Sequence, residues 1–288
     1  MKTLLIDAMN IFIRSYVVNP TMSDHGHQFG GALGFLKSIG SYSRRFNPDQ
    51  VIVIWEGGGS PRRKALLPEY KAGRKPIRLN RSEIYEDIPD TPENFNYQVS
   101  AATKLISFTP IKQMYVGDCE ADDIIGYLSK YSLEGEVLIA SSDKDFYQLL
   151  NDRVSMYSPT RKKIIRVENV LDEHQIHPEN FATARSFVGD NSDNIDGLKG
   201  VGLKTLVKRF PSLNKSEFVS CDDIISKCRD LPSASQLKIH RSILEKSDIV
   251  KRNWNLMYLD ISNLSADHVK KIEHRLQYNE TKRDKLGM

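Results

Sequence analysis

The chain has 288 residues, 40% of them hydrophobic and 27% charged, with a formal net charge of +4, an ordinary composition for a soluble globular protein of one large or two small domains. No apolar run approaches the roughly 18–20 residues needed to span a bilayer, so no membrane partner is expected. Three cysteines (Cys119, Cys221 and Cys228) with no CxxC pair argue against a disulfide framework or a zinc site and for a reducing compartment, the cytoplasm.

The N-terminal stretch MKTLLIDAMN carries an Asp within its apolar run and lacks a small-residue cleavage site. It reads as a first strand over 3–7, not as a signal peptide. A helical pattern follows at 31–46. A second apolar run, VIVIWE at 51–56, ends on Glu56 and meets three glycines. The strip 60–81 then holds Arg62, Arg63, Lys64, Lys71, Arg74, Lys75, Arg78 and Arg81 against one acid, Glu69. Such a strip suits a bound polyanion, although charge alone leaves a solvated basic loop equally open. Residues 72–96, with Pro76, Pro89 and Pro92, read as a long loop, and a loop of that length in a compact domain is usually functional or disordered. Helical patterns at 97–108 and 119–131 alternate with β-type runs at 111–117 and 136–142. Beyond about residue 160, short helical segments joined by turns run to a polar tail at 279–288, expected to fray. The pattern predicts an α/β region over 1–160, with a central, mostly parallel sheet flanked by helices, and a helical region over 161–288.

Ligands of such sheets bind at the carboxyl ends of the strands. The acids fall there. Asp7 ends the first strand and Glu56 the second. Glu120, Asp122 and Asp123 open a helix in CEADDIIG. Asp143 and Asp145 follow a strand in SSDKDF, and Asp190 and Asp193 lie in GDNSDN. Capping and the helix macrodipole also favour acids at helix starts. What capping does not explain is why every cluster is expected on one edge. Crowded carboxylates repel one another, and hard divalent cations remove that cost. Mg²⁺ takes oxygen ligands while keeping waters. Two ions roughly 3.5–4 Å apart would clamp the attacking and leaving oxygens of a phosphodiester.

A second feature is GLKGVGLKTLVKRF at 197–210. Gly200 and Gly202 frame a tight turn, and Lys204 and Thr205 open the next helix, with Lys199 just before the turn. Glycines allow close backbone approach to a phosphate, and a helix start offers free N–H groups. We read a helix–hairpin–helix at about 190–210, a device that grips duplex backbone without reading sequence.

The segments LLIDAMN, LPEYKAGRKP, EADDIIGYLSKY, SSDKDFYQLLNDR and GDNSDNIDGLKGVGLKT resemble, in order and spacing across residues 3 to 210, the 5′-nuclease family: flap endonucleases, the 5′-nuclease domain of bacterial DNA polymerase I, and phage ribonuclease H enzymes. No polymerase module follows, so the likeness is to a stand-alone form, most like phage ribonuclease H or 5′-3′ exonuclease. The resemblance implies a PIN-like sheet and metal-dependent cleavage of branched, flapped or RNA-primed DNA during replication. It implies Mg²⁺ (two ions, with Mn²⁺ a substitute) held by Asp7, Glu56, Glu120, Asp122, Asp143, Asp145 and Asp193, with Asp123 and Asp190 beside them. It makes Lys71 and Arg74 the basic residues at the cleaved phosphate and Tyr70 a platform for a terminal base, although a core-facing Tyr70 is an equally open reading. Arg62, Arg63 and Lys75 would bind DNA, and 72–96 would form the arch, its acidic second half (Glu83, Glu86, Asp87, Asp90, Glu93) turned from phosphate. K⁺ at the hairpin turn, an RNA–DNA hybrid substrate and a single-strand-binding protein partner are further implications, as is a host cytoplasm for a phage-encoded chain. One departure stands out: the family usually carries Asp where this chain has Glu56. Competing readings are a catalytically impaired DNA-junction binder, with Glu56 a sign of decay, and a PIN-type ribonuclease, against which the duplex grip argues.

Overall fold

A computed structural model of the chain describes residues 1–74, 77 and 91–278. Lys75, most of the expected arch and the polar tail from 279 lie outside the described residues. Six strands form the main sheet: β1 (Lys2–Asp7), β2 (Gln50–Ile54), β3 (Lys112–Met114), β4 (Glu136–Ala140), β5 (Val154–Ser158) and β6 (Lys163–Ile165), in the order β3-β2-β1-β4-β5-β6. All neighbours are parallel except β6, which closes an antiparallel hairpin with β5. The chain starts at the centre, builds outward through β2 and β3, then returns to place β4 on the other side of β1. That reversal is a topological switch point, where crevices open at strand ends.

The strands are buried on both faces because successive side chains alternate. Leu4 and Ile6 of β1, with Val53, Leu138 and Ala140, pack under helices α1 (Ala8–Val18), α2 (Gly30–Phe46) and α4 (Pro92–Ile106). Leu5, with Ile52, Ile54, Val137 and Ile139, faces a second core. That core runs on without a break into the helices after residue 160, through Phe181 and Phe187 of α7 (Phe181–Val188), Ile224 of α9 (Cys221–Asp230), Ile243 of α10 (Lys238–Glu245), Val250 of α11 (Ser247–Met257) and Ile272 of α12 (Ala266–Gln277).

Several elements differ from the sequence reading. Helix α1 follows β1 with no intervening loop, so no turn residues announce it. Its Ala8, Ile11, Phe12 and Tyr16 form the buried stripe. Helix α4 begins at Pro92, capped by the Thr91 side chain accepting from the Asn94 N–H at 3.2 Å, so the last residues of the expected 72–96 loop are helical. A further short helix, α3 (Pro61–Leu66), is capped by Ser60. The expected 119–131 helix is α5 (Ala121–Tyr127), continued by one wider turn over Leu128–Ser132.

Candidate active site at the carboxyl edge of the sheet

The register brings the acids to one edge. Asp7 pairs with Ile54, and Ile6 with Ala140, so β1, β2 and β4 end level and the residues just beyond them share the crevice. Asp7 caps α1 through the Asn10 N–H at 3.3 Å and accepts from Ser141 Oγ at 2.7 Å. Burial, reinforced by the charges of Asp143 and Glu56, pushes its carboxyl up to about 7. Glu56 lies two residues past β2 and accepts from the Ala121 N–H at 3.5 Å. Burial and then the charge of Glu120 raise it. Asp122, in the first turn of α5, is raised well above the usual carboxylate range by burial and by Asp143.

Why glycine follows Glu56 is visible in the backbone. The Gly57 N–H donates to the Cys119 carbonyl at 3.1 Å, and its own carbonyl accepts from Asp118 at 2.9 Å. A Cβ on Gly57 would sit 1.8 Å from the Val116 carbonyl oxygen. Gly57 therefore lies against the loop that carries Glu120, and that contact is what requires a residue without a side chain. Gly58 and Gly59, at φ of +94° and +97°, adopt the left-handed backbone with open space around them.

Glu120 occupies the N-cap position of α5 without capping it. Its Oε2 instead receives three donors: Tyr70 OH at 3.0 Å, Lys71 Nζ at 3.0 Å and Arg63 Nη1 at 3.1 Å. Its Oε1 is buried with no hydrogen-bond partner. Capping does account for Asp143, which accepts from the Asp145 N–H at 2.9 Å, and for Asp190, which accepts from the Ser192 N–H at 2.8 Å.

The remaining acids are joined by cations. Arg185, at the end of α7, reaches Asp145 at 3.3 Å and Asp190. Asp190 is held low, because its bonds from Ser192 and the charge of Arg185 outweigh burial. Burial and the charge of Asp143 raise Asp145 to about 7. Asp193 pairs with Arg74 and lies 3.4 Å from Tyr70 OH, and its carbonyl accepts from the Lys71 N–H at 2.9 Å. Asp145 and Asp190 thus share Arg185, and Asp193 pairs with Arg74. Among the described residues no three acidic, His or Cys side chains stand close enough together, as placed, to hold a metal ion.

Three site expectations change. Tyr70 is 5% exposed, its ring packed with Leu67, Ile195, Leu256 and Met257, so no face is free for a base. Arg63 is 2% exposed and holds Asp123 with two bonds at 2.5 and 2.7 Å; it is a buried brace, not a DNA contact. Asp123, 3% exposed and also bonded by Asn263, has its oxygens committed to that brace rather than to a metal. Arg62 spends one donor on the Asn255 carbonyl at 3.0 Å. By contrast Lys199, Gly200, Gly202, Lys204 and Thr205 are exposed around the start of α8 (Leu203–Arg209), with Gly200 at a φ of +78°. The segment before them carries a two-stranded ribbon, β7 (Gly189–Asp190) with β8 (Ile195–Asp196), where a helical segment was expected. Sequence reasoning missed Arg185, Ser141 and Asn10, whose side chain accepts from the Ser142 N–H at 3.0 Å. The spacing of Arg185 five residues before Asp190 was the available signal.

The family described as "5′-3′ exonuclease, N-terminal resolvase-like domain" matches residues 2–176. The chain belongs to the 5′-3′ exonuclease family. It is 29% identical over 277 residues to a 5′-3′ exonuclease of Buchnera aphidicola subsp. Schizaphis graminum, covering 92% of this chain and 90% of that one. Identity to the thermostable DNA polymerase I of Thermus aquaticus is also 29%, over 88% of this chain but only 28% of that protein. In fold, the chain is similar to T5 5′-exonuclease with divalent zinc bound, with a TM-score of 0.77 and 24% identity over 97% of this chain and all of that one. A bacteriophage T5 flap endonuclease in a pseudo-enzyme–product complex with DNA and metal ions gives the same TM-score at 23% identity, covering 97% of this chain and 100% of that chain. The family consists of nucleases, which does not favour the junction-binder reading. Among the described residues no helix is long and apolar enough to cross a membrane.

Proposed function

We propose that this protein is a divalent-metal-dependent 5′-nuclease that hydrolyses phosphodiesters of flapped, branched or RNA-primed DNA. One observation carries the reading: buried and half-buried carboxylates that follow three parallel strand ends and open α5 act on one another's charge, beside Lys71, at the switch point. The donors are all carboxylate oxygens, the chemistry a hard cation takes. Glu120 Oε1 is buried and unpartnered, and burial and mutual repulsion raise Asp7, Glu56, Asp122, Asp143 and Asp145, so each gains when positive charge arrives. Asp7, Glu56, Glu120, Asp122, Asp143, Asp145 and Asp193 would hold Mg²⁺ or Mn²⁺, which would supply charge neutralisation and an activated water.

The chain's own residues do the rest. Lys71, 20% exposed at the rim, has three donors, so one can keep Glu120 while another takes a phosphoryl oxygen. Arg74, on the solvent side of Asp193, adds a second donor where charge builds up on the phosphoryl group. The exposed lysines and glycines beside α8 are suited to hold duplex backbone as a helix–hairpin–helix would. Products from a 5′-flap and from an RNA-primed duplex, mapped in Mg²⁺, test the reading. Short 5′ products from either substrate support it, and intact substrates in both Mg²⁺ and Mn²⁺ would refute it.

A further inference from the structure

The proposed mechanism makes no use of Arg63, although it is the largest fully buried side chain among the described residues. Its donors run in three directions. Nη1 and Nη2 hold both oxygens of Asp123. Nη1 also reaches Glu120 Oε2 at 3.1 Å, and Nε donates to the Leu256 carbonyl at 2.8 Å. Asp123 in turn accepts from Asn263 at 3.1 Å. The guanidinium is thus bonded to the first turn of α5, to the end of α11 and, through Asp123, to the one-turn helix Ile261–Asn263.

Burial costs a guanidinium heavily, and the paired charges of Asp123 and Glu120 more than restore it. One Glu120 oxygen is saturated by that pairing and by Tyr70 and Lys71. The other is left buried and bare. A glutamate carboxylate has a broad terminal torsion, so an unbraced Glu120 could turn either oxygen, or neither, toward the crevice.

We propose that Arg63 is a positioning residue: it pins one oxygen of Glu120 so that the other faces the acidic crevice, and it makes that orientation depend on the docking of the C-terminal segment around Leu256 and Asn263. The inference rests on the metal-binding reading of Glu120. Partners that orient a ligand from outside typically matter about 10–100-fold in metal affinity.

The test uses the full chain and the metal alone. Mg²⁺ or Mn²⁺ affinity is measured by calorimetry for wild type, Arg63→Lys, Glu120→Gln and the double variant, each with a thermal melt. Arg63→Lys keeps the charge but loses the fork, so affinity should fall about tenfold. The double variant should bind no more weakly than Glu120→Gln alone, since Arg63 acts through Glu120. Additive losses would overturn the inference by showing an unrelated structural effect, and so would wild-type affinity in folded Arg63→Lys. Unchanged affinity in Glu120→Gln would instead refute the metal-binding reading. If Arg63→Lys does not melt cooperatively, Asp123→Asn takes its place. It preserves shape but frees the guanidinium to move onto Glu120 Oε1, so affinity should again fall. Wild-type affinity in that variant would sink the proposal.

Discussion

Gly57→Ala separates two explanations of the triple glycine. A Cβ at this position would lie 1.8 Å from the Val116 carbonyl oxygen and 2.4 Å from that of Cys119. Both obstacles are backbone, so either the β2 end or the loop at 116–119 must retreat by more than an ångström. That retreat breaks the hydrogen bonds Gly57 exchanges with Cys119 and Asp118, each contributing about 1 kcal/mol net. Residual crowding adds about 1–3 kcal/mol. The total of about 3–5 kcal/mol is a large part of a domain stability of about 5–15 kcal/mol. Gly58→Ala and Gly59→Ala meet open space and incur only backbone strain, about 1–2 kcal/mol each. Equilibrium urea unfolding of the three variants should show that ranking. Single-turnover cleavage below each unfolding transition should fall most for Gly57→Ala, because Glu56 then moves relative to Glu120, and misplacements of this size can cost about a hundredfold. Equal stability of the Gly57 and Gly58 variants, with wild-type cleavage in both, would refute the reasoning.

Lys71→Ala should slow cleavage far more than it weakens flap binding, as read from kcat beside a binding titration in Ca²⁺. Equal losses would contradict a role in the transition state. For Glu56→Asp, the shorter side chain should withdraw from Ala121, so cleavage at limiting Mg²⁺ should fall. A gain would mean that Glu56 is a tolerated departure and the Gly57 contact does not compensate for it. Folding raises Asp7 and Asp145 to about 7 from an unfolded value of about 4, so the native state keeps protons that the unfolded chain releases. Their contribution is present at low pH and is lost as pH rises through about 7. Mg²⁺ bound at these carboxylates would replace those protons, so its increment in melting temperature should be larger at pH 8 than at pH 5.5. An equal or reversed increment would show that these carboxylates are not where the metal binds.

The sheet and its edge were legible because both follow from one-dimensional rules. Unbroken apolar runs such as TLLID and VIVIW mark strands covered on both faces, and acids at their ends then share an edge. Helix α1 was not legible, because Asp7 is at once the last strand residue and the helix cap and leaves no turn to read. The basic strip misled for a related reason. Arg62, Arg63 and Lys71 are alike in sequence, but α3 turns Arg63 inward onto Asp123, whereas the left-handed backbone of Lys71, at a φ of +56°, carries its amine to the rim. Asp122 and Asp123 separate in the same way: adjacent residues on a helix point about 100° apart, so one faces the crevice and the other the brace. Composition assigns both to a charged cluster, and only packing tells a ligand from its anchor.

The acidic edge should hydrolyse a phosphodiester only when a divalent metal is present. This is tested most directly by single-turnover cleavage of a 5′-labelled flap, with and without Mg²⁺, by wild type and by Asp143→Asn, with flap binding measured in parallel. Wild type should release 5′ products only with Mg²⁺, and the variant should lose cleavage while retaining binding. Cleavage by Asp143→Asn at the wild-type rate, or wild-type cleavage unaffected by removing the metal, would contradict this.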